Sequence, residues 1–323
     1  MSRYIVRRLL EAIPLLLLVS LVMFFVLRLV PGGPLAVYAR GQTSPEALAE
    51  LRVKLGLDQP LIVQYGRWLG RAVQGDLGNS FQTGRPVTVE VFERLGPTAY
   101  LIGSTFLVVL IISVLVGVLS AVRQYSLLDI GTTTLTFIGQ ALPVFWVGLM
   151  LILIFFSWVK NPATGLPLLP AGGMHSVGAD FNLWDWLSHL ILPMVTLGLG
   201  WVSWYSRYLR ASMLDVIHED YIRTARAKGL SESKVVFKHA LKNAAIPLVT
   251  IVALDLPALF GGSLFVEIIF SWPGMGRLFF RAVELRDYPI LMGTILIIAM
   301  MMVFANLLAD VVYAYLDPRI RYQ

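Results

Sequence analysis

The sequence predicts an all-α integral membrane protein with six transmembrane helices, and three observations carry that prediction. Of its 323 residues, 57% are hydrophobic and only 14% charged, against roughly 45–50% apolar residues in soluble domains. The apolar residues gather in runs of about 20, the length a helix needs to cross a bilayer. The basic residues gather at the ends of alternate runs, as the bias that orients membrane proteins requires. This placement assigns the excess of 26 Lys+Arg over 20 Asp+Glu to topology and argues against a nucleic-acid face. The chain has no cysteine, which excludes disulfides, thiolate metal sites and a cysteine nucleophile.

The first expected span is Leu9–Val30. The basic start, with Arg3, Arg7 and Arg8, resembles the leading region of a signal peptide. The apolar run behind it is nevertheless long enough to span, and Pro31-Gly32-Gly33-Pro34 follows in place of a small-residue cleavage site, so the helix is expected to be retained. Residues 31–97 form a long loop, expected to be ordered and partly helical. Ser44 can cap a helix that Pro45 opens, Leu48, Leu51 and Leu55 recur at helical spacing, and Gly56 ends it. A second short helix is expected over Leu61–Val73, followed by the turn-rich run Gly75-Asp76-Leu77-Gly78-Asn79-Ser80.

Further spans are expected at Thr98–Val122, Ile130–Val159, His189–Leu209, Ala245–Phe270 and Pro289–Leu316. Residues 160–188 form a second loop rich in proline and glycine, with Trp184 and Trp186 suited to the membrane interface. An even number of spans puts both termini on one side. The segments facing that side hold Arg3, Arg7 and Arg8, then Arg123, then the loop 211–244 with its flanks, then Arg319 and Arg321, and this density of positive charge marks it as cytoplasmic. The arginines of the 31–97 loop do not oppose this, because loops longer than about 60 residues translocate largely regardless of charge. No soluble domain or internal repeat is evident.

Enzyme chemistry finds little support. No Gly-rich phosphate loop ending in Lys-Ser/Thr occurs, so the chain cannot hydrolyse ATP by that route. Ser104 follows Gly103 but lacks the second glycine of a nucleophile elbow and is read as a small residue for helix packing. The histidines, His175, His189, His218 and His239, fall at or beyond span ends, and none makes a metal-ligand spacing with a carboxylate.

Ionisable residues within spans are candidates for a translocation path, because an unpaired charge in hydrocarbon costs several kcal/mol. Asp255 is the deepest. Pro257 follows it by two residues and interrupts the helix ladder, so the segment with Leu254, Asp255, Leu256 and Pro257 has free backbone groups that need protein or water. Two readings are open: a hydrated gate, or a side chain that satisfies its own neighbourhood. Gln140, near Gly139 and Pro143, is a milder path candidate beside interhelix hydrogen bonding. For Asp310, nearer the inner end of the last span, structural pairing or interfacial placement is favoured over transport, and Glu11 and Arg28 are expected to reach toward the interfaces.

The loop 211–244 is the most distinctive stretch. Tyr221, Ala225 and Lys228 fall at helical spacing before Gly229, and Ser231 offers an N-cap to a second helix. Lys234, Lys238 and Lys242 make a basic stripe on that second helix, while Leu230, Val235, Val236, Ala240 and Leu241 make an apolar side. Spacing alone leaves open a loop lying on anionic lipid or a rigid knob inserted into a partner.

Motifs along most of the chain decide between these. Asp220-Tyr221-Ile222-Arg223-Thr224-Ala225-Arg226-Ala227-Lys228-Gly229-Leu230, with His239-Ala240-Leu241-Lys242-Asn243-Ala244-Ala245-Ile246-Pro247, resembles the EAA loop of permease subunits of bacterial ABC importers, in the version typical of the dipeptide/oligopeptide/nickel family. Tyr4-Ile5-Val6-Arg7-Arg8, Pro31-Gly32-Gly33-Pro34, Leu55-Gly56-Leu57-Asp58-Gln59-Pro60, Gly75 to Ser80, Gly84-Arg85-Pro86-Val87, Val266 to Phe270, Pro273-Gly274-Met275-Gly276 and Arg286-Asp287-Tyr288-Pro289 are similar to the B-type subunit. The chain departs from the general pattern in having Arg223-Thr224-Ala225 for Glu-Ala-Ala and Lys242 for a proline; both fit the peptide-family variant. Gly33 stands where an aspartate is frequent.

The resemblance implies a type I ABC importer permease fold in a bacterial inner membrane, with a periplasmic first loop and both termini cytoplasmic. It implies four partners beside lipid: a homologous second permease, two cytoplasmic ATPase subunits and an extracytoplasmic substrate-binding protein. The chain itself would bind no cofactor, and ATP and Mg would sit on the ATPases. The coupling element would comprise Asp220, Tyr221, Arg223, Thr224, Ala225, Ala227, Lys228, Gly229, Leu230 and His239, with Ala225 and Ala227 permitting close approach to an ATPase. The expected cargo is a di- or oligopeptide. Oligosaccharides, nickel chelates or glutathione are the alternatives within the fold, and an ion-coupled carrier or channel is the alternative outside it.

Overall fold

The computed structural model describes residues 2–30, 33, 44–54, 56–178, 180 and 182–316; the side chains of 2–5, 45, 51, 256, 259, 261, 262 and 312–316 are not among what it describes. Most of the expected Pro31-Gly32-Gly33-Pro34 turn, Leu55, and the terminal Arg319 and Arg321 lie outside the described residues. The chain divides into two compact units, residues 1–98 with 273–307 and residues 99–272 with 308–323. The described residues are helical apart from turns and two isolated β-bridges. Among the described residues five helices are long and apolar enough to cross a membrane, and a bent pair makes a sixth if counted as one span.

In the first unit, α1 (Ser2–Leu29) packs along α3 (Leu61–Val73). Tyr65 of α3 sits edge-on to Phe24, and its hydroxyl shares a hydrogen bond of 2.9 Å with Ser20. The loop helix α2 (Pro45–Lys54) begins as its sequence suggests, with the Ala47 N–H donating to Ser44 Oγ at 3.2 Å. Beyond the turns at 75–86, α4 (Val87–Val122) begins in this unit and ends in the other. The unit closes with α10 (Met275–Leu285) and the first part of α11 (Tyr288–Leu316). Val87, Val91, Met275, Ala282, Ile290 and Leu291 form its core with Leu77.

Buried Asp287 organises the 75–86 turns. It accepts from the Ser80 hydroxyl and from the N–H groups of Phe81 at 3.2 Å and Gln82 at 3.3 Å, and it caps α11 through the Ile290 N–H at 3.4 Å.

In the second unit, α5 (Leu127–Ala141) and α6 (Val144–Ile152) meet at a bend of 105°. The span expected over Ile130–Val159 falls on this bent pair. Leu142, forced out of the helical region by Pro143, is extended at φ −81° and ψ 131°. A π-helical turn over Leu153–Trp158 continues α6. The helix α7 (Leu183–Ile217) packs against α5, α6 and the long helix α9 (Leu241–Ile269). It reaches past both ends of the span expected at His189–Leu209, since its polar ends also satisfy helical hydrogen bonding; Asn182 caps its start by accepting from Trp184 and Asp185 N–H groups.

Small residues let these helices approach. A Cβ on Gly117 of α4 would lie 2.9 Å from the Ser206 carbonyl oxygen, and one on Gly139 of α5 would lie 2.8 Å from Ser203 Oγ.

Candidate functional site

The loop between α7 and α9 folds into a short helix, α8 (Asp220–Ala227), whose apolar residues are few but well placed. Ile222 is fully buried and Ala225 nearly so, in one core with Val235, Val236, Ala240 and Ala244 and with Tyr205, Leu209 and Met213 of α7. Burying an isoleucine side chain is worth about 1.5–3 kcal/mol, so this anchor fixes the orientation of the whole turn.

The helix ends at Gly229, which adopts φ +75°. The Leu230 N–H donates to the Ala225 carbonyl at 3.4 Å and the Gly229 N–H to the Arg226 carbonyl at 2.9 Å. These two bonds satisfy the last carbonyls of the helix in the arrangement a left-handed glycine permits. Across the turn, Arg226 pairs with Glu232 through nitrogens 3.2 and 2.7 Å from its two carboxylate oxygens, an interaction that raises the Arg226 pKa. The Asn243 side chain donates to the Tyr221 hydroxyl at 2.8 Å and ties α8 to α9.

What remains outward is mostly polar or small. Asp220, Tyr221, Arg223, Thr224, Ala227, Lys228, Gly229 and Leu230 are exposed, and His239 is half-buried. Ala225 corrects the sequence expectation: it packs inward against the chain's own core and is not a surface for close approach. Ile222, which the spacing argument did not single out, is the anchor.

Ser231 holds the N-cap position, but its side chain makes no capping hydrogen bond. The expected separate second helix is likewise corrected, because the short helix Glu232–Lys234 passes through a π-helical turn, Val235–Ala240, directly into α9. The wider π turn brings the adjacent Val235 and Val236, with Ala240, onto the core while Lys234, Lys238 and Lys242 stay exposed. Leu230, assigned to the apolar side, is exposed as the turn carries it outward.

Beneath the loop lies an ion pair that the sequence reading passed over. Asp129 of α5, 3% exposed, accepts from Arg210 of α7 at 2.6 and 2.7 Å. It also accepts from the Ser120 hydroxyl of α4 and from the Tyr125 N–H at 2.9 Å. Ser126 accepts from the Asp129 N–H at 3.2 Å, so the same residue starts α5. The spacing of Ser126 and Asp129, a serine with an acid three residues on, is the signal that could have revealed that start. Arg210 could not be deduced as its partner.

Two of the path candidates, Gln140 and Asp255, meet residues of the same stretch of α7. Gln140 is exposed and accepts from Arg207, whose guanidinium lies 4.5 Å from the Phe137 ring centre. Asp255 is half-buried and faces Trp204 and Tyr205. The Tyr205 hydroxyl is buried and lacks a partner at hydrogen-bonding geometry among the described residues. Pro257 is half-buried, and the side chain of Leu256 lies outside the described residues.

A family model described as "Binding-protein-dependent transport system inner membrane component" matches residues 113–322, and the N-terminal model for such membrane components matches residues 1–102. The chain belongs to this family. It is therefore a multi-pass inner membrane protein and the permease component of an ABC transporter, as distinct from the ATPase. Among similar proteins are the oligopeptide transport system permease protein AppB of Bacillus subtilis (strain 168), 43% identical with the whole of both chains covered, and the dipeptide transport system permease protein DppB of Alkalihalophilus pseudofirmus, 39% identical with the whole of both covered. The glutathione transport system permease protein GsiC of Escherichia coli (strain K12) is also 39% identical over the whole of both. Among solved structures, an inward-facing MetNI methionine ABC transporter matches with a TM-score of 0.53 and 18% identity, covering 70% of this permease and 96% of that chain. This likeness establishes the fold.

Proposed function

We propose that this permease forms half of a translocation path for di- or oligopeptides and that the turn around Gly229 receives the mechanical stroke of a cytoplasmic ATPase. The observation that carries the coupling reading is a short helix fixed from within by Ile222 and Ala225, which leaves Tyr221, Arg223, Thr224, Ala227, Lys228 and Leu230 outward for a partner. A rigid element of this kind transmits a push, because a packed core moves as a body and does not deform continuously. The basic residues on its rim suit an acidic cleft.

In this reading two ATPase subunits hold ATP and Mg, a homologous permease supplies the other half of the path, and a binding protein delivers cargo on the opposite side. Both termini are cytoplasmic, in keeping with the distribution of basic residues. Peptide cargo is favoured by the two full-length relatives named for oligopeptide and dipeptide transport. Glutathione is the second reading, on the full-length relative named for it. Gln140, Asp255, Leu256 and Pro257 are assigned to the path or its gate.

The test is Gly229→Glu in the assembled transporter. A side chain at φ +75° strains the turn, and the added carboxylate opposes an acidic cleft. The expected result is normal membrane insertion and loss of ATP-driven peptide uptake, to below about a tenth of wild type if the lost coupling exceeds about 1.4 kcal/mol. Wild-type uptake by this variant overturns the coupling assignment.

A further inference from the structure

Two arginines of α7, Arg207 and Arg210, meet α5 by different means. Arg210 is held by a carboxylate, with Asp129 accepting from its guanidinium at 2.6 and 2.7 Å. Arg207 has only neutral partners among the described residues. Its Nε donates to the Ser203 carbonyl at 3.1 Å, its Nη2 donates to Gln140 Oε1, and its guanidinium lies 4.5 Å from the Phe137 ring centre. The bond to Ser203, one turn back along α7, turns the charge into the span expected at His189–Leu209, where a long basic side chain ordinarily reaches out of the membrane. Asp255, another carboxylate near this stretch of α7, faces Trp204 and Tyr205.

The place of this cation argues against contact with lipid. Gln140 stands near the end of α5, beside the 105° bend of a broken span, and backbone broken within a membrane is tolerated only against protein or a water-filled cavity. A charged side chain within a span faces protein or water for the same reason. Gln140 and Phe137 are nevertheless exposed on this chain and Arg207 is half-buried. The cluster therefore faces a space that the chain leaves open.

The chemistry defines the ligand. A guanidinium carries more N–H donors than the two used here. The remaining donors and the unneutralised charge call for a carboxylate, whose two oxygens a guanidinium fork matches. A carboxylate of the chain itself would hold Arg207 permanently, as Asp129 holds Arg210. A neutral amide can be displaced by a charged acceptor and can return when that acceptor leaves. A site on a path needs this property, since it must bind strongly enough to admit the ligand and weakly enough to release it.

We propose that Arg207 receives the C-terminal carboxylate of the peptide during translocation, displacing Gln140, and so favours cargo with a free carboxyl end. This role rests on the peptide cargo proposed above and adds to it a residue that decides which peptides pass.

The transporter, assembled with its ATPases and binding protein in proteoliposomes, is tested for ATP-driven uptake of a dipeptide as wild type, R207Q and R207K. Binding of the same dipeptide and of its C-terminal amide to the assembled transporter is read by saturation-transfer NMR, which detects weak ligands, with the binding protein left out so that its own selection does not intrude. Wild type is expected to hold the dipeptide ~10-fold more tightly than the amide, as the loss of a charge-assisted pair implies. R207Q is expected to lose this preference and to take up the dipeptide ~10-fold more slowly, while R207K keeps the charge and at least about a third of wild-type uptake. Should R207Q not assemble, the wild-type comparison of dipeptide and amide decides. Equal binding of the two by wild type, binding of neither, or a preference that persists in R207Q overturns the proposal. Slower uptake by R207Q with the preference intact shows instead a structural role, in the fit to Gln140 or to a second permease. Each of these results leaves the peptide reading standing so long as wild type takes up the dipeptide; a wild type that takes up none overturns that reading, and this role with it.

Discussion

Two turns of this permease are held in place by opposite means. The turn at Gly229 is fixed by apolar anchors, Ile222 and Ala225, while its polar groups face outward. The turn from Gly78 to Gly84 is fixed by a buried carboxylate, Asp287, that gathers Ser80, Phe81 and Gln82 and also caps α11. The difference lies in what each turn does with its own backbone. A helix ended by a left-handed glycine satisfies its last carbonyls itself, so its anchor can be purely apolar. A turn without a helix leaves N–H groups that require an acceptor from elsewhere, and a carboxylate can serve several at once.

Three substitutions probe this contrast. Asp287→Ala removes the acceptor of several donors at once and is expected to destabilise the first unit by about 4 kcal/mol, as several unsatisfied buried groups of about 1–3 kcal/mol each imply. Proteolysis within 75–87 and the melting temperature of the purified permease read the loss. Ile222→Ala leaves a cavity beneath the Gly229 turn and should cost about 3 kcal/mol. Its melting temperature should fall, and uptake per ATP hydrolysed should fall with it, since a loosened knob transmits less displacement. Arg226→Ala removes an ion pair whose side chains are 40% and 56% exposed, so a loss of at most about 0.5 kcal/mol that shrinks further in high salt is expected. If Asp287→Ala melts within a degree or so of Arg226→Ala, the contrast between an internally satisfied turn and a carboxylate-held one is wrong.

Much of the permease was legible before its structure. Ser44 and Leu61–Val73 marked the loop helices, because caps and helical spacing act within a turn or two of chain. Gly229 announced the end of α8 for the same reason. The inward face of that helix was legible only in part, since Tyr221, Ala225 and Lys228 share a spacing, yet only Ala225 of the three is buried. The bend before Pro143 had a local cause in plain view, but a long apolar run on either side concealed it. The π turn at Val235–Ala240 left no such trace, because the side of the helix that meets the core depends on neighbours in α7 and α4.

Hydrophobicity, charge placement and motif order are properties of consecutive residues, and by themselves they determined a polytopic helical membrane protein with a binding-protein-dependent permease sequence. The tertiary structure alone decided that Asp129 meets Arg210 across 81 residues, that Asp287 closes on a turn some two hundred residues earlier, and that Ile222 anchors α8. Partners so distant in the chain are selected by which helices pack together, and that packing depends on the fit of whole surfaces, to which no short window of sequence is sensitive.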